Sequence, residues 1–572
     1  MKLKASTSRK LRYGGVTAVF TAAIIAVVII CNVIFSALSQ KFLWYTDLTP
    51  EKLFTVSDDF YSLMRNGDPD FEESSSPIEK VNEIRAEKLA ADSSFQNSDL
   101  MIRIIFCDDR DAWDRDNSTA QYVYYTARQI EEEFPDHVEL EFVNIIHNPT
   151  RLAKYGANSV GNVIVEFGTR YRLFDVDDFF LTTEGETLPW AYNGEKTFAS
   201  AIMALTRAES PVVCLTVDHG ETLPENSTQF FRTLESAGFT IQPLELKTQE
   251  IPQNCRLIIV FNPVQDFLDK DDAFAQVDEI DKLETYLDQG NSMMVFMSPD
   301  SLGTKRLHNF EDYLEEWGIC FDRKVETRLT ASNQTETLYH ASKVIDYSQS
   351  LLSTGGLAVE AEYVTTGFGG SVTQAMREDE GAPMMVFPNA MSISYSGLFP
   401  RVPYQAEDSS DALYYYGESV NPAVKRQIYD VFVTSKNAIS QANGESIAMA
   451  TEINPLKLMT VSKEDREITE NQDTGSYINK TSYVFACGST DFAHESLLQQ
   501  QAYGNNTFLE YALRIIGQEP VPVGLDLNVL YDDTIDTITS AEATRYTVIL
   551  TVIPATLAIA CGVVVIVRRK YR

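Results

Sequence analysis

Positive charge is scarce in this 572-residue sequence, where 47 Lys and Arg stand against 82 Asp and Glu for a formal net charge of −35. A field of that sign repels phosphate backbones and excludes nucleic acid as a partner. Cysteine is sparse as well. There are seven, no two of them spaced CxxC, so neither a redox pair nor a thiolate zinc site fits the pattern. No GxxxxGK[ST] occurs, which excludes a P-loop and with it ATP hydrolysis by this chain. GxSxG, HExxH and EF-hand spacings are missing too. The sequence therefore offers no catalytic set, no cofactor fingerprint and no metal-ligand motif, and the expectation is a protein that is not an enzyme.

What is present is the composition of a folded protein, 44% hydrophobic and 11% aromatic, long enough for two to four domains. The few cations are not spread evenly. Residues 1–38 hold Lys2, Lys4, Arg9, Lys10 and Arg12, residues 546–572 hold Arg568, Arg569, Lys570 and Arg572, and neither segment holds an acid. The residues between keep 38 cations against all 82 acids, a charge of −44. Inside the two basic ends lie uncharged runs, Gly14–Leu38 and Tyr546–Val567. At about 1.5 Å per residue each is long enough for a hydrocarbon core of about 30 Å, and the first is too long for a secretory signal. Pro554, in the second run, is tolerated in a membrane helix better than in a soluble one. Basic residues at the outer ends of both runs place both termini in the cytoplasm by the positive-inside rule. The expectation is a two-pass cell-membrane protein with residues 39–545 extracytoplasmic, and membrane lipid as one partner.

Between the spans the apolar pattern alternates strand with helix. Leu100–Cys107 and Val138–Ile145 read as strands on either side of a helix over Ala120–Phe134, and Asn162–Val176 reads as a hairpin turning at Gly168-Thr169. That β-α-β-α-β-β order is thioredoxin-like, without a second thiol beside Cys107. Asp108, Asp109, Asp111, Asp114 and Asp116 form an acidic run that lacks the glycine and terminal glutamate of a calcium loop and reads as solvated. A second unit begins near Gly194, with helices over Lys196–Arg207, Ser227–Ala237 and Val277–Gln289 between the apolar strands of Ser210–Glu221, Cys255–Pro263 and Asn291–Pro299. Such alternation predicts a parallel sheet covered on both faces, similar to flavodoxin-like or class I glutamine-amidotransferase-like layers. The pattern blurs after Asp322 and returns at Ser482–Ala493.

The fold class expected is thus α/β: a thioredoxin-like domain (39–190), an amidotransferase-like parallel-sheet domain (194–321 and 441–520) with an insertion (322–440), a linker (521–545), flanking transmembrane helices (14–38 and 546–567), and basic ends (1–13 and 568–572). Two strand ends in the second domain carry polar side chains where open parallel sheets hold ligands: Asp218-His219-Gly220-Glu221, and Ser489 and Asp491 in Gly488-Ser489-Thr490-Asp491. These are the candidate ligand or partner surface. His219 with Glu221 has the makings of an acid–base pair. An amidotransferase chemistry, however, needs a cysteine on a strained turn, and Cys214 falls inside the strand.

Several landmarks together resemble the family of the gliding-motility auxiliary protein G, the GldG family. They are DLTPEKLFTVSD after the first span, NPTRLAKYGANSVGNVIVEFGTRYR, VCLTVDHGE with LETYLDQGNSMMVFMSP, ACGSTDFA, and a last span with Pro554 before Arg-Arg-Lys. The resemblance covers most of the chain except about 322–440. It implies a non-catalytic accessory subunit of an ABC-type transport system, partnered by a multi-span permease and a separate ATPase, whose ectodomain binds a partner, cargo or envelope component. Where that family has GHGE and GDSDF, this chain has Asp218-His219-Gly220-Glu221 and Gly488-Ser489-Thr490-Asp491-Phe492. The alternatives are an extracytoplasmic hydrolase or amidotransferase relative using His219 and Glu221, and an envelope scaffold or sensor.

Overall fold

The computed structural model describes residues 54–530 apart from 69–75, 93, 116–117, 184–187, 208–210, 224–226, 271–276, 301, 331, 352–353, 380, 398–413, 416–423, 472–475, 501, 519–520, 523 and 526, together with Val27 and Ile30. The spans expected at 14–38 and 546–567 fall outside these residues but for Val27 and Ile30, as do both basic ends. No described helix is long and apolar enough to cross a membrane. The chain divides into a compact unit of residues 1–528 and a second, Val529–Arg572, of which only two residues are described.

The architecture is mixed α/β. A first sheet contains β1 (Ile102–Phe106), β2 (Val138–Phe142), β3 (Asn162–Phe167) and β4 (Arg170–Asp175), in the order β2-β1-β3-β4. β1 pairs parallel with β2 and antiparallel with β3. Gly168 makes the β3–β4 turn at φ +64°, a conformation that costs glycine nothing. The helix Thr119–Glu133 buries Val123, Tyr124, Ala127 and Ile130, an i, i+1, i+4, i+7 stripe. A helix that the apolar periodicity does not reveal, Pro77–Ala91, is started by the Ser76 hydroxyl accepting from the Glu79 amide and by Pro77 in its first turn.

The central sheet begins with β5 (Val212–Thr216), β6 (Thr240–Leu244), β7 (Cys255–Phe261) and β8 (Ser292–Phe296). It continues with β9 (Ala358–Tyr363), β10 (Met385–Pro388), β11 (Val424–Val433), β12 (Lys457–Asn471) and β13 (Ser476–Cys487). Their order is β10-β9-β11-β12-β13-β8-β7-β5-β6. From β6 to β13 every pairing is parallel, with Ser292 opposite Tyr483, and from β13 to β10 every pairing is antiparallel, with Val461 opposite Phe485. The stretch read from sequence as an insertion therefore contributes β9, β10 and β11 to the same sheet, and the chain rejoins the parallel half at Tyr483. Its short, half-polar strands hide that membership, because an antiparallel sheet buried unevenly does not give continuous apolar runs.

Alternate residues of the parallel strands fill two cores, as a period of two requires. Ile259, Phe261, Met294, Phe296 and Phe485 face the helices Thr228–Ser236 and Asn505–Ile516, whereas Ile258, Val260, Met293, Val295 and Val484 face Glu279–Asp288 and His308–Glu316. Each fully buried side chain of this size contributes about 1.5–3 kcal/mol.

Candidate functional site

In sequence order the parallel strands β5, β6, β7, β8 and β13 sit as 2-1-3-4-5, so the chain moves outward in opposite directions from β5. That makes the carboxyl ends of β5 and β7 the topological switch point, the crevice where open sheets of this order receive ligands. Asp218-His219-Gly220-Glu221 directly follows β5 there. Gly220 adopts φ +73°, and a Cβ on it would lie 2.6 Å from Val264 Cγ2, so only glycine lets this loop close against the segment that follows β7. The main-chain oxygen of His219 accepts the amides of Val264 and Gln265 at 2.9 and 2.8 Å, tying the two strand ends together.

The His219 ring has no exposed surface. It lies flat on Phe267, centroids 3.7 Å apart, and Phe267 stacks in turn on Phe310 at 4.3 Å. Its Nε2 meets both oxygens of Glu279 at 3.2 and 3.1 Å, and its Nδ1 lies 3.1 Å from Glu221 Oε1 and 3.1 Å from Asp218 Oδ1. The other Glu221 oxygen accepts the His219 amide at 2.8 Å. Glu279, fully buried at the start of the helix Glu279–Asp288, also accepts the Leu268 amide at 2.8 Å. Burial alone would push the His219 ring down, but hydrogen bonds to Glu221 and Glu279 and the nearby charges of Glu279 and Asp218 outweigh it and hold it up at about 9. Burial likewise works against the Glu221 carboxylate, and its hydrogen bonds, that to His219 foremost, leave it below its ordinary value.

The two candidate strand ends do not meet. β8 and β7 separate β13 from β5, which at about 4.8 Å per strand is about 14 Å. Ser489 is buried and its hydroxyl donates to the Pro388 carbonyl, while Asp491 accepts from Asn389 Nδ2 at 2.8 Å. Both stitch the end of β13 to the end of β10. Cys214 is buried within β5, four residues before the turn at Asp218, its thiol pushed up by its neighbour Cys255 and by burial. In the acidic run, Asn144 Nδ2 bridges Asp108 and Asp109 at 2.8 and 3.0 Å. Asp116 lies outside the described residues. Among the described residues, the metal-capable side chains gathered in a group of three are Asp218, His219 and Glu221. Glu279 is the member of the cluster that sequence reasoning misses. It stands 60 residues from His219, and no local spacing connects them.

The fold is a mixed α/β one with a polar cluster at the switch point of its parallel half. Residues 210–336, which span that cluster, match the family model described as ABC-type uncharacterized transport system, and this supports the broad family of auxiliary components of such systems. No curated protein matches the chain. Among solved structures it is similar to one described as the mmIFT52 N-terminal domain, with 14% identity and a TM-score of 0.29 over 53% of this chain and 96% of that one. It is also similar to one described as the structure of PurLQS from Thermotoga maritima, with 12% identity and a TM-score of 0.24 over 54% of this chain and 99% of that one.

Proposed function

We propose that this chain is a non-catalytic, membrane-anchored accessory subunit of an ABC-type transport system, of the GldG kind. Its residues 39–545 lie outside the cell and bind a partner, cargo or envelope component, and its two spans dock on a permease that works with a separate ATPase. The observation that carries the reading is the family match over residues 210–336. The 2-1-3-4-5 strand order supports a flavodoxin-like or amidotransferase-like layer, and the β2-β1-β3-β4 sheet a thioredoxin-like one without its redox pair. Against a hydrolase stands the enclosed His219 ring, whose two nitrogens face the carboxylates of Asp218, Glu221 and Glu279.

The test is extraction of the tagged full chain from its native cells in mild detergent, followed by mass spectrometry of what accompanies it. An ATPase and a multi-span permease in constant ratio are expected. Recovery of the chain alone overturns the proposal. Protease added to intact cells should digest the middle of the chain, and its protection there would remove the membrane topology.

A further inference from the structure

We propose that Asp218, His219 and Glu221 form a mononuclear site for a divalent first-row transition metal, with Glu279 as the carboxylate that orients the imidazole from behind. The inference rests on these four residues and is independent of the transport role. One donor atom from each of the three side chains lies within 4.8 Å of the other two, and His219 Nδ1 is 3.1 Å from both Asp218 Oδ1 and Glu221 Oε1. A tetrahedral ion with bonds of about 2.0–2.2 Å sets its ligand atoms about 3.3–3.6 Å apart, close to the two separations measured from Nδ1.

Three further observations point to a ligand. Asp218 Oδ1 is buried and accepts no hydrogen bond of proper geometry, His219 Nδ1 being its near neighbour; its other oxygen is satisfied by the Lys247 amide at 3.0 Å. Glu279 grips Nε2 with both oxygens, which is how an outer carboxylate fixes a ligating histidine so that the opposite nitrogen faces the metal. The charge balance is also lopsided. Three carboxylates converge on one imidazole, and the ammonium of Lys247 goes to the main-chain oxygen of Asp218 at 2.9 Å.

The rigidity a metal site needs is already present, in the stack on Phe267 and in the two amides held by the His219 carbonyl. Gly220 and Thr222 are exposed, which leaves an approach from solvent. An imidazole nitrogen among only three protein ligands suits Zn2+ or a similar ion and not Ca2+ or Mg2+, which require more oxygen ligands.

The experiment uses the full chain in detergent, stripped with a chelator. Zn2+ is titrated by calorimetry and Co2+ by visible absorption, both in excess Mg2+. One equivalent per chain is expected, with the absorption bands of a low-symmetry, four- or five-coordinate Co2+. D218N with E221Q should weaken binding by more than about 100-fold, and E279Q by about 10–100-fold with the stoichiometry kept. Both substitutions keep the size and shape of the side chain beside the enclosed ring, and circular dichroism checks that the variants fold. Equal affinity in wild type and D218N/E221Q would assign the ion to the acidic surface and overturn the proposal. So would octahedral Co2+ spectra, or no saturable binding.

Discussion

Removal of Lys196 should cost the protein more than removal of Lys196 together with its partner. Lys196, in the helix Gly194–Thr206, pairs with Glu510 in the helix Asn505–Ile516, and their side chains are 10% and 9% exposed. Glu510 has one other partner, Asn506 Nδ2 at 3.2 Å. Lys196→Met thus strands a buried carboxylate with a single amide donor. Breaking a buried pair from one side costs about 3–5 kcal/mol, and the tenth of each group that water reaches argues for about 3. With about 2.1 cal/mol/K of unfolding entropy for each of roughly 300 residues in the central domain, that is a fall in Tm of about 5 °C. Replacing both partners, as Lys196→Met with Glu510→Leu, should recover most of the loss, since an apolar pair of similar volume is often neutral. Scanning calorimetry of the purified chain and its three variants measures all of this. A single variant within about 0.5 kcal/mol of wild type, or a double variant worse than the sum of the two, would refute the reasoning.

Gly488→Ala should destabilise by about 3 kcal/mol, the upper end for overpacking, because its Cβ would lie 2.1 Å from the Met391 carbonyl oxygen; a shift in denaturation midpoint checks it. Asp346 is buried, and although burial favours its neutral form, hydrogen bonds from Ser435, Ser348 and the amides of Ser348 and Gln349 hold its carboxyl below the ordinary value. Its contribution is therefore complete above about pH 3.9 and is lost as pH falls through the lower folded value, so Asp346→Asn should destabilise at pH 7 by an amount that shrinks in acid, read from unfolding at several pH values. Of the five described cysteines, Cys107, Cys214, Cys255 and Cys487 are buried and only Cys320 is half-exposed, its thiol pushed up to about 12 chiefly by burial. A maleimide should label Cys320 slowly in the native chain and the other four only after unfolding, as mass spectrometry of digests will show.

The parallel half of the central sheet was legible because its strands are buried on both faces and read as continuous apolar runs, Cys255–Phe261 and Ser292–Phe296 among them. β12 was not. Its Lys463-Glu464-Asp465-Arg466 has the look of a solvated stretch, yet Glu464 is 1% exposed and is neutralised by Arg426 and Arg466. Charge pairing across strands leaves no trace in hydropathy. The helix Pro77–Ala91 escaped for a related reason: the residues it buries are Pro77, Val81 and Arg85, and the Arg85 guanidinium goes to the carbonyls of Leu100 and Asp136. In the candidate site, Asp218, His219 and Glu221 are neighbours in sequence and could be seen together. Glu279 arrives only through the fold, and Ser489 and Asp491, similar in appearance, prove to fasten β13 to β10.

Because β13 closes the parallel half of the sheet, a nascent chain must wait for it. About 180 residues separate the end of β8 from the start of β13, and at about 5–20 residues per second the ribosome needs on the order of 10–40 s to deliver them. Throughout that interval Ser292–Phe296 offers a bare row of amide donors and carbonyl acceptors to any passing strand. Fragments truncated between 297 and 475 should for that reason precipitate, and the living cell has cause to keep this segment escorted until residue 487 emerges.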